Sequence, residues 1–182
     1  DVFNTSAFGL AQTRNRIYIF ATTRRLPRNF EFTEKAIQKA FARHGGASLI
    51  RQGRSIDALY RNAPEKYWLS DKLKRTILAN GSGGFVAKSE IDLEVARPLC
   101  ATMSKMHRAC QDNYFSEGFI NTHGRRRYVG GVAECENVRI RRLMPEEAFA
   151  LQGFDGEFVR NAREQFGVAD CNLYKQAGNA VS

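Results

Sequence analysis

The sequence predicts a mixed α/β fold, and three local patterns carry that prediction. A run of β-branched and aromatic residues from Arg16 to Thr22 is typical of a largely buried strand. Thr33 and Ser70 stand where helix caps are expected, ahead of apolar residues at helical spacing. Pro145, followed by two glutamates, is typical of a first helical turn, where a fixed φ and negative charge are favourable.

The first strand is preceded by polar residues at alternate positions. Gln12, Arg14 and Arg16 are two residues apart, so on a strand their side chains share one face. A buried arginine costs free energy unless it has a partner. We therefore expect these three side chains to have a specific partner.

Two helices and several short apolar runs follow. The first helix is predicted from Thr33 to Arg43 and is closed by Gly45-Gly46, and the second begins after Ser70 and ends at Asn80-Gly81. The short apolar runs are expected to form short strands or loops; they are Val86, Ile91 to Val95, Leu99 to Met103, and Tyr128 to Val132.

The C-terminal region contains a further helix, from Pro145 to Gly153, because glycine commonly ends helices. Arg141 and Glu147 are predicted to form a structural ion pair. The last residues, Tyr174 to Ser182, are predicted to form a turn leading into a helix that ends before it can bury anything.

Composition indicates a polyanionic partner. The 182 residues carry a formal charge of +9, with 20 Arg against 8 Lys, and Arg suits forked contacts with phosphates and guanine edges. No apolar run approaches the ~20 residues of a membrane span, which excludes a membrane protein. The four cysteines form no C-x-x-C pair and fit an intracellular protein. Cys100, His107 and Cys110 do not have the spacing of a familiar zinc site, so we expect no metal.

Three segments resemble motifs of the cytosine-5 DNA methyltransferases, in the family's order. Phe8 to Ile19 resembles the Q-x-R-x-R block, the eighth motif. Arg141 to Phe154 resembles the ninth, R-x-L-[ST]-x-x-E-x-x-x-L-Q-G-[FY]-P, with Met144 in place of Ser or Thr and Asp155 in place of Pro. Tyr174 to Val181 resembles the tenth, Y-x-Q-x-G-N-[AS]-V.

The resemblance implies a fold and a domain order. Residues 1–23 would be the last strand of a Rossmann-like S-adenosylmethionine-dependent methyltransferase domain. Residues 24–138 would form a smaller, loop-rich α+β target recognition domain. Residues 139–164 would support that domain, and residues 165–182 would return to the catalytic domain. The family's cofactor loop, Pro-Cys nucleophile and catalytic Glu precede the eighth motif, so we expect them outside this chain; Glu136-Asn137-Val138 stands in the wrong place to be the catalytic Glu motif.

The resemblance also assigns roles to individual residues. Arg16 matches the family's cation at the cytosine carbonyl oxygen. Arg14 matches the neighbouring arginine of the motif, near the pocket and the phosphates. The alternative is that both arginines bind carboxylates at the boundary between two domains. The residues matching the cofactor side are Asn179, Ala180 and Val181, for which a purely structural role is the alternative. The candidate DNA-binding residues are Arg97, Thr102, Lys105, Arg108, Arg125, Arg126 and Arg127. A solvated face is the alternative for the run Arg125 to Arg127.

The sequence therefore predicts the C-terminal part of a DNA cytosine-5 methyltransferase that uses S-adenosylmethionine and is inactive alone. Its partners would be double-stranded DNA and an N-terminal catalytic half, in the same polypeptide or in a separate subunit, with no membrane. We expect an intracellular, bacterial protein, cytoplasmic or nucleoid-associated. The alternative is a non-catalytic, sequence-specific DNA-binding module derived from the family. An RNA-binding domain ranks last because its aromatic signature is missing.

Overall fold

The computed structural model describes residues 1–45 and 53–180, and over these residues the chain has a mixed α/β fold. The strands are β1 (Val2–Asn4), β2 (Asn15–Ile17), β3 (Gly81–Ser82), β4 (Phe85–Val86), β5 (Tyr114–Ser116) and β6 (Ile140–Arg142). The helices are α1 (Glu34–Arg43), α2 (Asp71–Leu78), α3 (Glu117–Asn121), α4 (Pro145–Ala150), α5 (Gly156–Phe166) and α6 (Asp170–Asn179). The strands pair consecutively into three antiparallel ribbons. The mixed class is confirmed, whereas the Rossmann-like and recognition-domain assignments stay predictions.

The predicted helix starts are confirmed. The Thr33 hydroxyl accepts the Ala36 N–H at 3.2 Å and so caps α1. Ser70 occupies the cap position of α2, and Pro145 is the first residue of α4. Beyond α4, Gly153 has a φ of +85°, which favours glycine.

The two departures from the ninth motif are accommodated by local hydrogen bonds. Met144 has no hydroxyl, but the Glu147 carboxylate accepts the Met144 N–H at 2.7 Å at the start of α4. Asp155, in place of Pro, caps α5 by accepting the Glu157 N–H at 3.0 Å. Asp155 therefore supplies a side-chain acceptor at the start of α5, whereas at the start of α4 the bond to Glu147 satisfies the N–H of Met144 itself.

The first part of the chain packs around aromatic rings. Helix α1 and the residues before it lie against β1 and the turn that follows, with ring centroids 5.4 Å apart for Phe3 and Phe32 and 6.0 Å for Phe8 and Phe41. The Gln38 amide also donates to the Ala7 carbonyl at 2.6 Å. Residues 30–41 thus contact residues 3–8 directly, while the predicted domain boundary at residue 23 stays a prediction.

The prediction of a buried strand from Arg16 to Thr22 is wrong. In residues 1–45 and 53–180, the strand covers Asn15–Ile17 and pairs with β1 alone, and Ile17 and Ile19 are 76% and 89% exposed. A strand is buried on both faces only when further layers cover them. Among the described residues, α1 and its flanking rings supply one layer, and the opposite face stays open.

The main core lies between the β5–β6 ribbon and the C-terminal helices. It includes Phe115 and Phe119 from the middle of the chain and Phe149, Leu173 and Tyr174 from the C-terminal helices. A second, smaller cluster joins α2 to the other side of the ribbon; it contains Ile77, Leu78, Ile91, Tyr114 and Ile140. The β5–β6 ribbon therefore lies between the two cores, and the middle and C-terminal parts of the chain both pack against it.

A buried ion pair joins β6 to α4, which confirms the predicted pairing of Arg141 and Glu147. The two terminal guanidinium nitrogens, Nη1 and Nη2, each donate to one carboxylate oxygen at 2.7 Å, and neither side chain is exposed. Glu147 also accepts the Tyr60 N–H at 2.7 Å, and Arg141 donates to the Tyr60 carbonyl at 2.9 Å. The pair thus fixes the loop around residue 60 on α4.

The prediction that the last segment buries nothing is wrong. Helix α6 begins at Asp170, four residues before the predicted turn, and buries Leu173, Tyr174 and Ala177. The Tyr174 hydroxyl donates to the Leu143 carbonyl at 2.5 Å. Gly178, predicted as part of a turn, lies inside the helix instead. Its missing side chain permits close packing of the helix against residues 100 and 101.

The remaining apolar runs divide between strand and loop. Val86 lies in β4, whereas the other three runs form loops, with a 3-10 turn at Met103–Lys105. In residues 1–45 and 53–180, no helix is long and apolar enough to cross a membrane. The same residues hold no cluster of three metal-ligating side chains, and all four cysteines are free thiols.

Candidate functional site

The Arg14 side chain joins three distant segments. Its guanidinium donates to the Leu99 carbonyl at 3.2 Å and to the Gly178 carbonyl of α6 at 2.9 Å, and the residue is 4% exposed. Burial, reinforced by the charge of Arg16, lowers the pKa of the Arg14 guanidinium. The arginine of the first segment therefore holds the loop at residue 99 against the C-terminal helix.

Helix α6 approaches the same loop backbone to backbone. A Cβ added at Gly178 would overlap the Ala101 amide nitrogen and the Cys100 carbonyl carbon. Only glycine fits such an approach without a shift of the backbone. Gln152 adds a bond from the ninth-motif region, its buried amide donating to the Ala177 carbonyl at 2.5 Å.

Gln12 lies beside this junction and is fully buried. Its backbone forms a parallel bridge with Ala96, and the neighbouring Thr13 N–H donates to the Ala96 carbonyl at 2.9 Å. Within the described residues, neither polar atom of the Gln12 side-chain amide has a hydrogen-bond partner. An unsatisfied buried amide is unusual in a folded protein, and it marks this position as one to explain by function.

Arg16 has a different environment from Arg14. It is half-buried and borders a cavity of about 300 Å³, and its guanidinium donates a long hydrogen bond of 3.4 Å to the Asn15 carbonyl. The cavity wall is mainly aromatic and aliphatic, with Phe3, Phe8 and Tyr18 among its residues. The two predicted catalytic arginines therefore differ in access: Arg16 is partly accessible, whereas Arg14 is buried, with both terminal nitrogens on carbonyls and an Nε that has no partner among the described residues.

The candidate DNA-binding residues between 97 and 108 fall into two groups. Arg97 and Arg108 bond to backbone carbonyls, Arg97 to Ala109 at 3.1 Å and Arg108 to Ala79 at 3.2 Å. Thr102 and Lys105 are exposed on the surface that follows the junction. The first group is positioned to shape the loop, and the second is accessible to a ligand.

The run Arg125 to Arg127 is exposed and lies after α3. Residues 125 and 126 form a bend, so the alternation of faces expected for an extended segment does not apply. The Arg125 guanidinium donates to the Thr122 carbonyl at 3.1 Å. Arg126 and Arg127 line a cleft of about 670 Å³, which also contains Glu117 and Glu134.

The predicted cofactor-side residues lie at the end of α6. Asn179 is exposed and Ala180 is half-buried, and both border an open concavity of about 760 Å³ that also includes Asn172 and Gln176. Val181 lies outside the described residues. The exposed amides offer the donors and acceptors that a polar cofactor group needs.

Two residues of this region were not identified from the sequence. The sequence places Gly178 in a turn, although a glycine can equally mark a close backbone approach. Asp92 lies in the apolar run Ile91 to Val95 and is fully buried. A lone acidic residue within such a run was the available signal.

Comparisons with known proteins agree with these motifs. The C-5 cytosine-specific DNA methylase family matches residues 1–182, and the chain belongs to that family. The type II methyltransferase M.SsoII of Shigella sonnei is 28% identical over the whole chain, and M1.ScrFI of Lactococcus lactis subsp. cremoris is 27% identical. The chain spans 40% and 39% of these two relatives.

A solved structure shows the same fold. The Entamoeba histolytica methyltransferase EhMeth matches the whole chain with a TM-score of 0.59 at 16% identity, and the match covers 48% of that protein. The orphan methyltransferase M.SPRI of Bacillus phage SPR is 40% identical over 68 residues, which is 37% of this chain. The family resemblance found in the sequence is confirmed.

The close contact at Gly178 generates a stability prediction. Replacing Gly178 by Ala should lower the free energy of unfolding by about 1–3 kcal/mol, because the added methyl group cannot fit against residues 100 and 101. Gly118→Ala is a matched control in α3, where the new Cβ meets its nearest atom at 3.7 Å. The control should hold or gain stability, up to about 1 kcal/mol. Chemical denaturation measures the free energy of unfolding of both variants. Equal gains in that free energy would contradict the close packing of Gly178 against residues 100 and 101.

Proposed function

We propose that this chain is the C-terminal part of a DNA cytosine-5 methyltransferase, which recognises a DNA site and completes the pocket for methyl transfer. The observation that carries the proposal is the meeting of the eighth-motif Arg14, the loop at Leu99 and the tenth-motif Gly178 through two hydrogen bonds. These residues are 85 and 164 positions away from Arg14 in sequence. A module that only binds DNA does not need this junction, and this consideration disfavours the alternative.

The nucleophile and the catalytic Glu would come from an N-terminal half, in the same polypeptide or in a separate subunit. The exposed strand supports this part of the proposal, because Ile17 at the end of β2 and Ile19 just beyond it are strongly exposed. An uncovered apolar strand is unfavourable in water and favours a further layer or strand. We assign this face to contact with the N-terminal half.

Within the assembled enzyme, Arg16 would stabilise the charge that develops on cytosine. Attack of a thiolate at carbon 6 places negative charge on the ring, and a fixed cation at the carbonyl oxygen lowers that barrier. Arg16 suits the role because, in the part of the chain that the structure describes, its guanidinium makes one long hydrogen bond, whereas Arg14 bonds to two carbonyls and suits a positioning role. The target base would leave the duplex stack to reach such a pocket.

S-adenosylmethionine would supply the methyl group when bound. Asn179 and Ala180 border the open concavity at the end of α6 and would hold one side of the cofactor. Val181 is assigned to the same group by resemblance alone. Because Gly178 precedes Asn179 directly, the contact of α6 with residues 100 and 101 would also set the position of this cofactor edge.

Duplex DNA would lie along the exposed arginines and the loop surface. Arg126 and Arg127 can reach phosphates or guanine edges, and Thr102 and Lys105 extend the polar surface near the junction. Arg97, Arg108 and Arg125 would contribute mainly through their positive charge and by shaping their loops, since each guanidinium already donates to a carbonyl.

The arginine run gives a prediction about DNA affinity. Arg126→Ala and Arg127→Ala should each weaken duplex binding and reduce the salt slope by about one unit if the lost contact is to phosphate. Arg125→Ala should have a smaller effect because its guanidinium is held by Thr122. Arg160→Ala, an exposed arginine paired with Glu157, is the control. Salt-titrated fluorescence anisotropy measures all four. If none of the four variants changes the duplex affinity or its salt slope, the run Arg125 to Arg127 is a solvated face.

Arg16 gives a prediction about turnover in a protein that joins this chain to its catalytic half. Arg16→Ala should reduce kcat by ~10²-fold while DNA affinity changes little, because the cation acts mainly when charge develops on the ring. Arg25→Ala, which removes an exposed arginine from the same part of the chain, is the control. Single-turnover methyl transfer and equilibrium binding separate the two effects. Equal losses in both would place Arg16 on the phosphates.

A further inference from the structure

Asp92 is a fully buried acidic residue with an unusual backbone. Its φ is +58°, in the left-handed region that non-glycine residues rarely adopt, and its N–H donates to the Tyr114 carbonyl of β5 at 3.0 Å. Asp is among the few residues that tolerate this conformation. The backbone thus points the carboxylate into the space between β5 and the segment that follows α3.

The Asp92 carboxylate accepts three hydrogen bonds from two segments. One oxygen accepts the Ser116 N–H at 2.7 Å. The other accepts the Ser116 hydroxyl at 2.6 Å and the Tyr128 N–H at 2.8 Å. Burial raises the pKa of Asp92, and these bonds oppose that rise by stabilising the charged form.

The two partners of Asp92 bracket the basic run. Ser116 caps α3 by accepting the Phe119 N–H at 3.2 Å, and Tyr128 follows Arg127 directly. Between them, the Thr122 hydroxyl accepts the Arg126 N–H at 2.9 Å. The segment from 116 to 128 is therefore held at its beginning and its end by one carboxylate.

We propose that Asp92 is a positioning residue for DNA recognition, which fixes the register in which Arg126 and Arg127 face the duplex. The proposal rests on the proposed function, in which these arginines contact DNA. A non-specific phosphate contact tolerates a mobile arginine, because the charge alone provides the attraction. A base contact requires the guanidinium at one place and angle, so it requires a fixed backbone.

A carboxylate suits this task better than an amide. Asn at position 92 would have nearly the same shape, but its NH₂ group would face either the Tyr128 N–H or the Ser116 N–H, donor against donor. The Asp92→Asn variant should therefore release one end of the segment while leaving the chain's apolar cores unchanged.

The test measures sequence discrimination separately from affinity in the full 182-residue chain. A pool of duplexes with randomised centres is bound by the wild-type chain and by Asp92→Asn, and the bound fractions are sequenced. We expect Asp92→Asn to lose ~10-fold in enrichment of the preferred sequence, the scale of one base contact, with near wild-type affinity for the unselected pool. Glu94→Gln, which removes a charge from an exposed residue two positions away, should behave as wild type.

Amide hydrogen exchange supplies the structural readout. Exchange should accelerate at Tyr128 in Asp92→Asn and stay slow at Leu151, a fully buried residue whose N–H donates to the Glu147 carbonyl at 2.9 Å. If Asp92→Asn does not fold, Asp92→Glu keeps the charge and both acceptors but displaces them, and the same loss of enrichment is expected. Faster exchange at Tyr128 with unchanged enrichment would overturn the proposal, as would equal losses on preferred and unselected duplexes. A wild-type chain that binds no duplex would instead overturn the proposed function itself.

Discussion

The buried pair of Arg141 and Glu147 is the constraint on which the arrangement of the chain depends. Two buried charges are stable only when each is matched and hydrogen-bonded, and here the pair also holds the Tyr60 N–H and carbonyl and the Met144 N–H. It thereby fixes the loop around residue 60, strand β6 and the start of α4 relative to one another. The main core is built on these elements.

The same frame places the functional segments. Strand β6 leads into Leu143, whose carbonyl holds the Tyr174 hydroxyl and so orients α6. Helix α6 in turn brings Gly178 to the loop at residues 99–101, where Arg14 joins both. The proposed DNA-binding surface and the proposed cofactor-binding end of α6 therefore meet at one junction, and the hydrogen bonds of Asp92 hold the segment that carries the exposed arginines.

The sequence predicts the features that depend on residues within one helical turn. Thr33 and Pro145 fix their helix starts through backbone contacts within one turn, so the sequence identifies them. Burial depends on distant partners, and for that reason the exposure of Ile19 could not be inferred from its apolar character. The assignment of Gly178 to a turn is wrong because a glycine required by tertiary packing looks, in sequence, like a glycine required by a turn. Family motifs identified the candidate site residues, but the contrast between Arg14 and Arg16 required their contacts.

If the Arg141–Glu147 pair organises the chain, Glu147→Gln should lower the free energy of unfolding by about 3–5 kcal/mol, because the Arg141 charge would stay buried without its partner. The Tyr60 and Met144 amides, which donate to Glu147, should exchange faster. Glu157→Gln, which breaks an exposed pair with Arg160, should stay within about 0.5 kcal/mol of wild type. A Glu147→Gln variant as stable as Glu157→Gln, with Tyr60 and Met144 still protected, would contradict the account.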